Sequence, residues 1–243
     1  MTKRLSFLLL GAVAVCALSC ATTSGPGDSD KPDAPDVPGL VAFYDFEGTL
    51  EDGGTDGLDA ESVDPVTYAQ DHNGRANAAL YVDGAVDTIR VESRGALDII
   101  GELTIAAWIK PELCSMSYNA FVDKSLISAY SMGVVGGDTP GRTDLVLYIH
   151  DHDAYLAEGA PVGQGIWEHV ACTFVDAADT VKFFIDGEFA YAQYFASPLT
   201  TADTDLRIGS SHWRDNYKGA LDQLAIFDRA LTPTEIRRLY DFD

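Results

Sequence analysis

The 243-residue sequence predicts an all-β sandwich of two antiparallel sheets with one short C-terminal helix. Three observations carry that expectation. Short segments alternate apolar and polar residues, the period of a strand buried on one face. Turn signals built on Gly and Asp separate those segments. Only residues 232–240 carry helical capping chemistry. A hydrophobic share of 47% is enough to fill one core at this length.

Within the domain, Leu40, Ala42, Tyr44 and Phe46 alternate with Val41, Phe43, Asp45 and Glu47, a strand buried on one face and partly covered on the other. It runs into Gly48 and the acidic, Gly-rich loop 51–57. ALYVD at 79–83 and TIRVE at 88–92 are strands around Gly84, and LTIAAWIK at 103–110 is another, with Trp108 reading as core between Ala107 and Ile109. Segments 118–124, 128–135 and 144–150 follow, the last ending in the polar turn Asp151-His152-Asp153. After WEHVACTF at 167–174, residues 180–185 and 188–191 form a hairpin about Asp186-Gly187, the strongest short hairpin signal in the chain. LRIG at 206–209 precedes the closing stretch GALDQLAIFDRAL at 219–231. There Leu224 and Ile226 alternate with Gln223 and Ala225, and Asp222 falls in register on the apolar side. An ionised carboxylate so placed is costly unless it is hydrogen-bonded or bound to a cation. Thr232 as N-cap, Pro233 at the first helical position and Glu235 at the third start the helix with a capping box.

Ahead of the domain, Met1–Ser19 reads as an export signal: Lys3 and Arg4, then an apolar run too short to span a membrane comfortably. Ala17-Leu18-Ser19-Cys20 resembles a bacterial lipobox with Ala17 where Leu is commoner, which makes Cys20 the expected lipidated residue, and Ala21 in place of Asp points to the outer membrane. Residues 20–38, with Pro26, Pro32, Pro35 and Pro38 among Ser, Asp and Gly, read as a disordered tether to a domain spanning 39–243. The net charge of -22 repels nucleic acid and anionic head groups, so membrane contact is expected only through the N-terminal lipid.

Six pieces, in chain order, resemble the LamG-like jelly rolls of the concanavalin A-like lectin/glucanase superfamily. They are the opening YDFEG, the ALYVDG and TIRVE hairpin, LTIAAWIK with Pro111, WEHVACTF, the closing strand with Gly219 and Asp222, and Arg229-Ala230-Leu231 followed by Thr232 and Glu235-Ile236. The resemblance covers residues 39–240 and implies a concanavalin-like jelly roll. It further implies a structural calcium on Asp222, reached by Glu47 from the opening strand and by the Asp83-Gly84 turn. Glu47 stands where the family more often has Asp, but both are hard oxygen ligands suited to a cation that takes six to eight oxygens. Cys114 and Cys172 are an even pair in a domain of an exported kind. Related domains often carry a disulfide, and two buried free thiols are the alternative.

Catalytic relatives in the superfamily carry Glu-x-Asp-x-x-Glu on one strand, and that pattern is absent: Glu92, Glu102, Glu112, Glu158 and Glu168 are isolated. Neither Gly-x-Ser-x-Gly, His-Glu-x-x-His nor a phosphate loop occurs. His150 and His152 would share a strand face, as metal ligands or as a polar hairpin tip. Residues 210–218 form a polar loop in which Trp213, Arg214, Asp215, Asn216 and Tyr217 could stack on a sugar ring and hydrogen-bond its hydroxyls, unless Trp213 folds back over the sandwich edge. The expectation is an exported, carbohydrate-recognising module on a lipid anchor. A protein-interaction or adhesion module is the alternative, and a glycan hydrolase stands third.

Overall fold

A computed structural model describes residues 33–85, 89–112, 118–124, 129–136, 142–149, 155–212 and 216–242. Its strands are β1 (Leu40–Tyr44), β2 (Thr67–Ala69), β3 (Ala79–Asp83), β4 (Ile89–Val91), β5 (Glu102–Pro111), β6 (Tyr118–Asp123), β7 (Tyr130–Gly136), β8 (Arg142–Ile149), β9 (Tyr155–Gly163), β10 (Glu168–Val175), β11 (Thr180–Ile185), β12 (Glu188–Tyr194), β13 (Leu206–Ile208) and β14 (Lys218–Phe227), followed by helix α1 (Pro233–Tyr240). One sheet runs β12-β11-β10-β5-β14-β3-β2, with β1 also on β14, and the other runs β4-β13-β6-β7-β8-β9. All pairings within both sheets are antiparallel. The expected two-sheet sandwich with one terminal helix is therefore what forms. Two strands have no counterpart in the sequence reading. β2 is three residues long, and β9 contains Gly159 and Pro161, which mask its apolar period. Pro161 is tolerated because β9 is an edge strand.

The main core lies between the sheets and includes Phe121, Met132, Leu147, Cys172, Phe183, Leu221 and Ile226. A second apolar layer covers the outer face of the larger sheet. There Ile236 and Leu239 of α1 pack with Val37, Phe43, Ala171, Phe184 and Phe227. Val37 is only 5% exposed, so the end of the expected tether belongs to the folded domain. The physical reason is that Val37 covers apolar area that α1 leaves open, and Arg229 Nε donates to the Pro38 carbonyl at 2.7 Å. Arg229 also grips Glu235 with both terminal nitrogens, at 3.0 and 2.6 Å. That grip, with the capping box formed by Thr232 and Glu235, holds the Glu235 carboxyl down to about 2.

The acidic loop after β1 is organised by a buried carboxylate. Asp52 accepts from the backbone N–H groups of Phe43 (2.9 Å), Gly54 (2.8 Å) and Leu58 (3.1 Å). Three such bonds satisfy an acid that would otherwise be costly to bury.

β14 is the strand on which the two chain ends meet. It keeps β5 along one edge, while its other edge pairs with β3 over 218–221 and with β1 over 224–227. At the junction, between Asp222 and Ala225, the register slips by one residue and Gln223 adopts φ 47°. A bulge of this kind reverses the side-chain alternation beyond it. Leu221, Leu224 and Ile226 all enter the interior, and Asp222 points to the opposite, outer face. The sequence period had put Asp222 on the side of Leu224 and Ile226, and the bulge is the reason it is not there.

Candidate functional site

Two places gather polar side chains. The first is the outer corner around Asp222, next to Trp108 and His169 in one cross-strand row. The loop between β2 and β3 folds over this row. His72 Nδ1 lies 2.6 Å from Asp222 Oδ2, and the imidazole stacks on the Trp108 indole at 4.2 Å and 9°. Tyr240 of α1 packs on Trp108 as well, at 5.4 Å. Burial pushes the Asp222 carboxyl above its ordinary value, and the His72 hydrogen bond pulls it partly back. His169 is pushed the other way, to about 3, first by burial and then by the nearby His72. Beside them Asp71 accepts from Arg75 N and Nε, each at 2.6 Å, and Arg75 Nη2 reaches Glu47 Oε1 at 2.6 Å. Trp108 is thus an outer-face residue sandwiched between rings, not part of the interior.

Asp71, His72 and Asp222 bring one ligand atom each within 4.8 Å of one another. The corner nevertheless does not fit the calcium expected there. A cation that takes six to eight oxygens would have to displace an imidazole from Asp222 and a guanidinium from both Asp71 and Glu47. Asp222 Oδ1 is buried without a hydrogen-bond partner, but Asp222 Oδ2 and both Asp71 oxygens already hold His72 and Arg75. Asp83 and Gly84 are not at this corner at all. Asp83 pairs with Lys218, four residues from Asp222, or about 13 Å along the strand. It lines a groove of about 350 Å³ with Ser62, Asp64, Thr67 and Tyr81. The fold brings Glu47 and Asp222 to one cluster, where their partners are the protein's own Arg75 and His72.

The second place is the outer face of the smaller sheet. Register puts Arg90, Arg207, Asp123, Ser131 and Tyr148 side by side across β4, β13, β6, β7 and β8. Their sequence neighbours Ile89, Leu206, Val122, Met132 and Leu147 fill the interior, so this row faces outward. Tyr118 lies across it, with its hydroxyl 2.7 Å from Ser131 Oγ and its ring 5.9 Å from Tyr148, nearly parallel at 27°. Gly133 makes this possible, because a Cβ there would sit 2.7 Å from the Tyr118 ring. Asp123 Oδ2 accepts from His212 N and pairs with its Nδ1, both at 2.8 Å. Asp123 and Ser131 are each 1% exposed, so the members of this row that keep exposed surface, and can stack a sugar ring or meet its hydroxyls, are Tyr118, Tyr148, Arg207 and Arg90. Sequence reasoning missed this constellation. Its members come from five strands and a loop, and the usable sign was only that each is a polar or aromatic residue at an outward strand position.

Of the loop residues expected to bind sugar, Tyr217 is fully buried. Its ring meets Phe121 edge-on at 6.0 Å, and its hydroxyl donates to the Ala220 carbonyl at 3.2 Å. It is a core residue because Gly219 lets the chain pass close to β5, where any Cβ would collide with the Lys110 carbonyl. Asn216 braces the turn after β3, its amide donating to the Ala85 carbonyl at 2.8 Å. Trp213, Arg214 and Asp215 lie outside the described residues, as do His150, Asp151, His152, Asp153, Cys114 and Cys20. The expected Cys114–Cys172 bridge is corrected: Cys172 is a free, buried thiol whose Sγ donates to Met132 Sδ at 3.5 Å in the interior. Burial pushes that thiol up to about 12, far from reactive.

Comparison with known proteins places this geometry. No curated protein matches the sequence. Among solved structures, domain 4 of AbnA, a GH43 extracellular arabinanase from Geobacillus stearothermophilus, in complex with arabinotriose, is similar at 23% identity and TM-score 0.64, over 83% of this chain and 98% of that one. The binding domain of Paraclostridial Mosquitocidal Protein 1 is similar at 16% identity and TM-score 0.66, over 83% of this chain and 52% of the other. The ligand-binding domain of botulinum neurotoxin serotype D, in complex with N-acetylneuraminic acid, follows at 15% identity and TM-score 0.65, over 84% and 50%. This chain spans about half the length of the latter two, and at these identities the likeness is one of fold. Residues 83–237 match the Laminin_G_3 family of the concanavalin A-like lectin/glucanases superfamily, and the chain belongs to that family.

Proposed function

We propose that this chain is a non-catalytic glycan-binding module, displayed outside the cell by a lipid on Cys20. The observation that carries the binding reading is the outer face of the smaller sheet, where Tyr118 and Tyr148 stack at 5.9 Å beside Ser131, Asp123 and Arg207. Asp123, the carboxylate in this row, has one oxygen taken up by two contacts from His212, an arrangement that suits positioning rather than proton transfer to a substrate. The similar structures that hold arabinotriose or N-acetylneuraminic acid support a saccharide as the ligand class.

Titration of the purified chain with neutral and acidic oligosaccharides tests the reading. Tyr148→Ala should weaken the best ligand about three- to tenfold, the worth of one aromatic stacking contact, while the melting curve moves little. Failure of every saccharide to bind the wild type would overturn it. The anchor is tested separately: Cys20→Ala should move the protein from the membrane fraction to the soluble one, and unchanged retention removes the lipid from the proposal.

A further inference from the structure

We infer that the glycan read on this face carries a carboxylate, and that Arg207, with Arg90 beside it, receives that group; the inference rests on the glycan reading above. Arg207 and Arg90 stand directly opposite each other on β13 and β4, both on the outer face. Like charges so placed repel unless an anion lies between them. Arg90 has acidic company, with Asp205 at 3.6 Å and Glu61 opposite it across an isolated bridge. Among the described residues Arg207 has none: its one hydrogen bond runs from Nη1 to the Ser211 carbonyl at 3.2 Å, and no described carboxylate lies within ion-pair distance. Its cross-strand acid, Asp123, is bonded through Oδ2 to His212.

In a chain with 38 acids and 16 lysines and arginines, a half-buried arginine without an acid beside a second arginine is a local reversal of the charge pattern. A guanidinium presents a planar fork of donors that matches a carboxylate in two parallel bonds, which favours a uronic or sialic acid over a neutral sugar. The remainder of the site sets the length. Tyr148 is three strands from Arg207, about 14 Å across the sheet. A short oligosaccharide can therefore set its acidic unit over the arginines and a neutral ring over Tyr118 and Tyr148.

Matched probes decide it. The full chain is titrated calorimetrically with sialyllactose and lactose, and with trigalacturonate and its methyl ester. Each acid should bind about tenfold or more tightly than its neutral counterpart, the worth of hydrogen bonds to a charged group. Arg207→Gln should erase that ratio, and Arg207→Lys should restore part of it. If Arg207→Gln does not fold, added salt serves on the wild type: acid binding should weaken with ionic strength and neutral binding should not. Equal binding of acid and neutral partners, or an acid preference that survives Arg207→Gln, overturns the carboxylate inference while the glycan reading stands. Absence of binding by all four probes overturns both. A sulfated oligosaccharide that matches the carboxylate in affinity overturns the choice of carboxylate.

Discussion

The two outer faces of the sandwich treat their polar residues in opposite ways. On the larger sheet, Asp222, Asp71 and Glu47 are matched by His72 and Arg75, aromatic rings stack over the row, and α1 closes the rest. On the smaller sheet the strand-borne row keeps Arg207 without a carboxylate partner among the described residues, and no described helix packs on it. Both faces hold a carboxylate bonded to a histidine, Asp222 with His72 and Asp123 with His212. The difference teaches that a buried acid–imidazole pair does not mark a site, since Asp222 and Asp123 are buried to the same degree. What differs is the company: stacked rings and α1 close over Asp222, whereas Asp123 stands beside Arg207 in the outward row.

The largest effect that could break this contrast is acid. His169, at about 3 in the folded protein against about 6.5 unfolded, binds fewer protons when folded, so its contribution is full above pH 6.5 and is lost as pH falls toward 3. The shift corresponds to an upper limit of about 5 kcal/mol. Urea melts between pH 7 and 4 should show the loss, and His169→Asn should flatten it. An unchanged slope in the variant would mean that another group carries the acid sensitivity.

Breaking the Asp222–His72 pair comes next. His72→Ala leaves Asp222 buried without its side-chain hydrogen-bond partner, with an expected loss of about 3 kcal/mol in denaturant unfolding. Because Arg75 and His72 already occupy the corner's carboxylates, calcium or a chelator should leave the wild-type melting temperature in place. A calcium-dependent rise that vanishes in Asp222→Ala would restore the metal.

Two aromatic substitutions sharpen the comparison further. Trp108→Ala should cost about 3 kcal/mol or more in stability with saccharide affinity retained, since Trp108 sits in the packed stack. Tyr148→Ala should do the reverse. If both changes act alike, the two faces are not functionally distinct. The smallest effect expected is that of a reductant: with Cys172 a free thiol in the core, dithiothreitol should not shift the melting curve of the domain.

Much of the fold was legible because local chemistry dictates it. Thr232, Pro233 and Glu235 start a helix wherever they stand, Asp186-Gly187 turns a hairpin with Asp186 at φ 49°, and the alternation in 103–110 forms β5. What failed to show was anything that depends on which strands become neighbours. β14 changes partner from β3 to β1 partway along, and the resulting bulge at Gln223 sends Asp222 to the face opposite the one its spacing indicated. Tyr217 read as a surface aromatic because its loop is polar, yet the close approach at Gly219 draws it into the core.

The sequence by itself determined the strands other than β2 and β9, the cap and the acidic character, since each arises from residues a few positions apart. The tertiary structure alone decided that His72 meets Asp222 across 150 residues, that His212 meets Asp123 across 89, and that Arg90, Arg207, Ser131 and Tyr148 share one row. Cross-strand register sets those distances, and register is fixed by the packing of both sheets together rather than by any one strand.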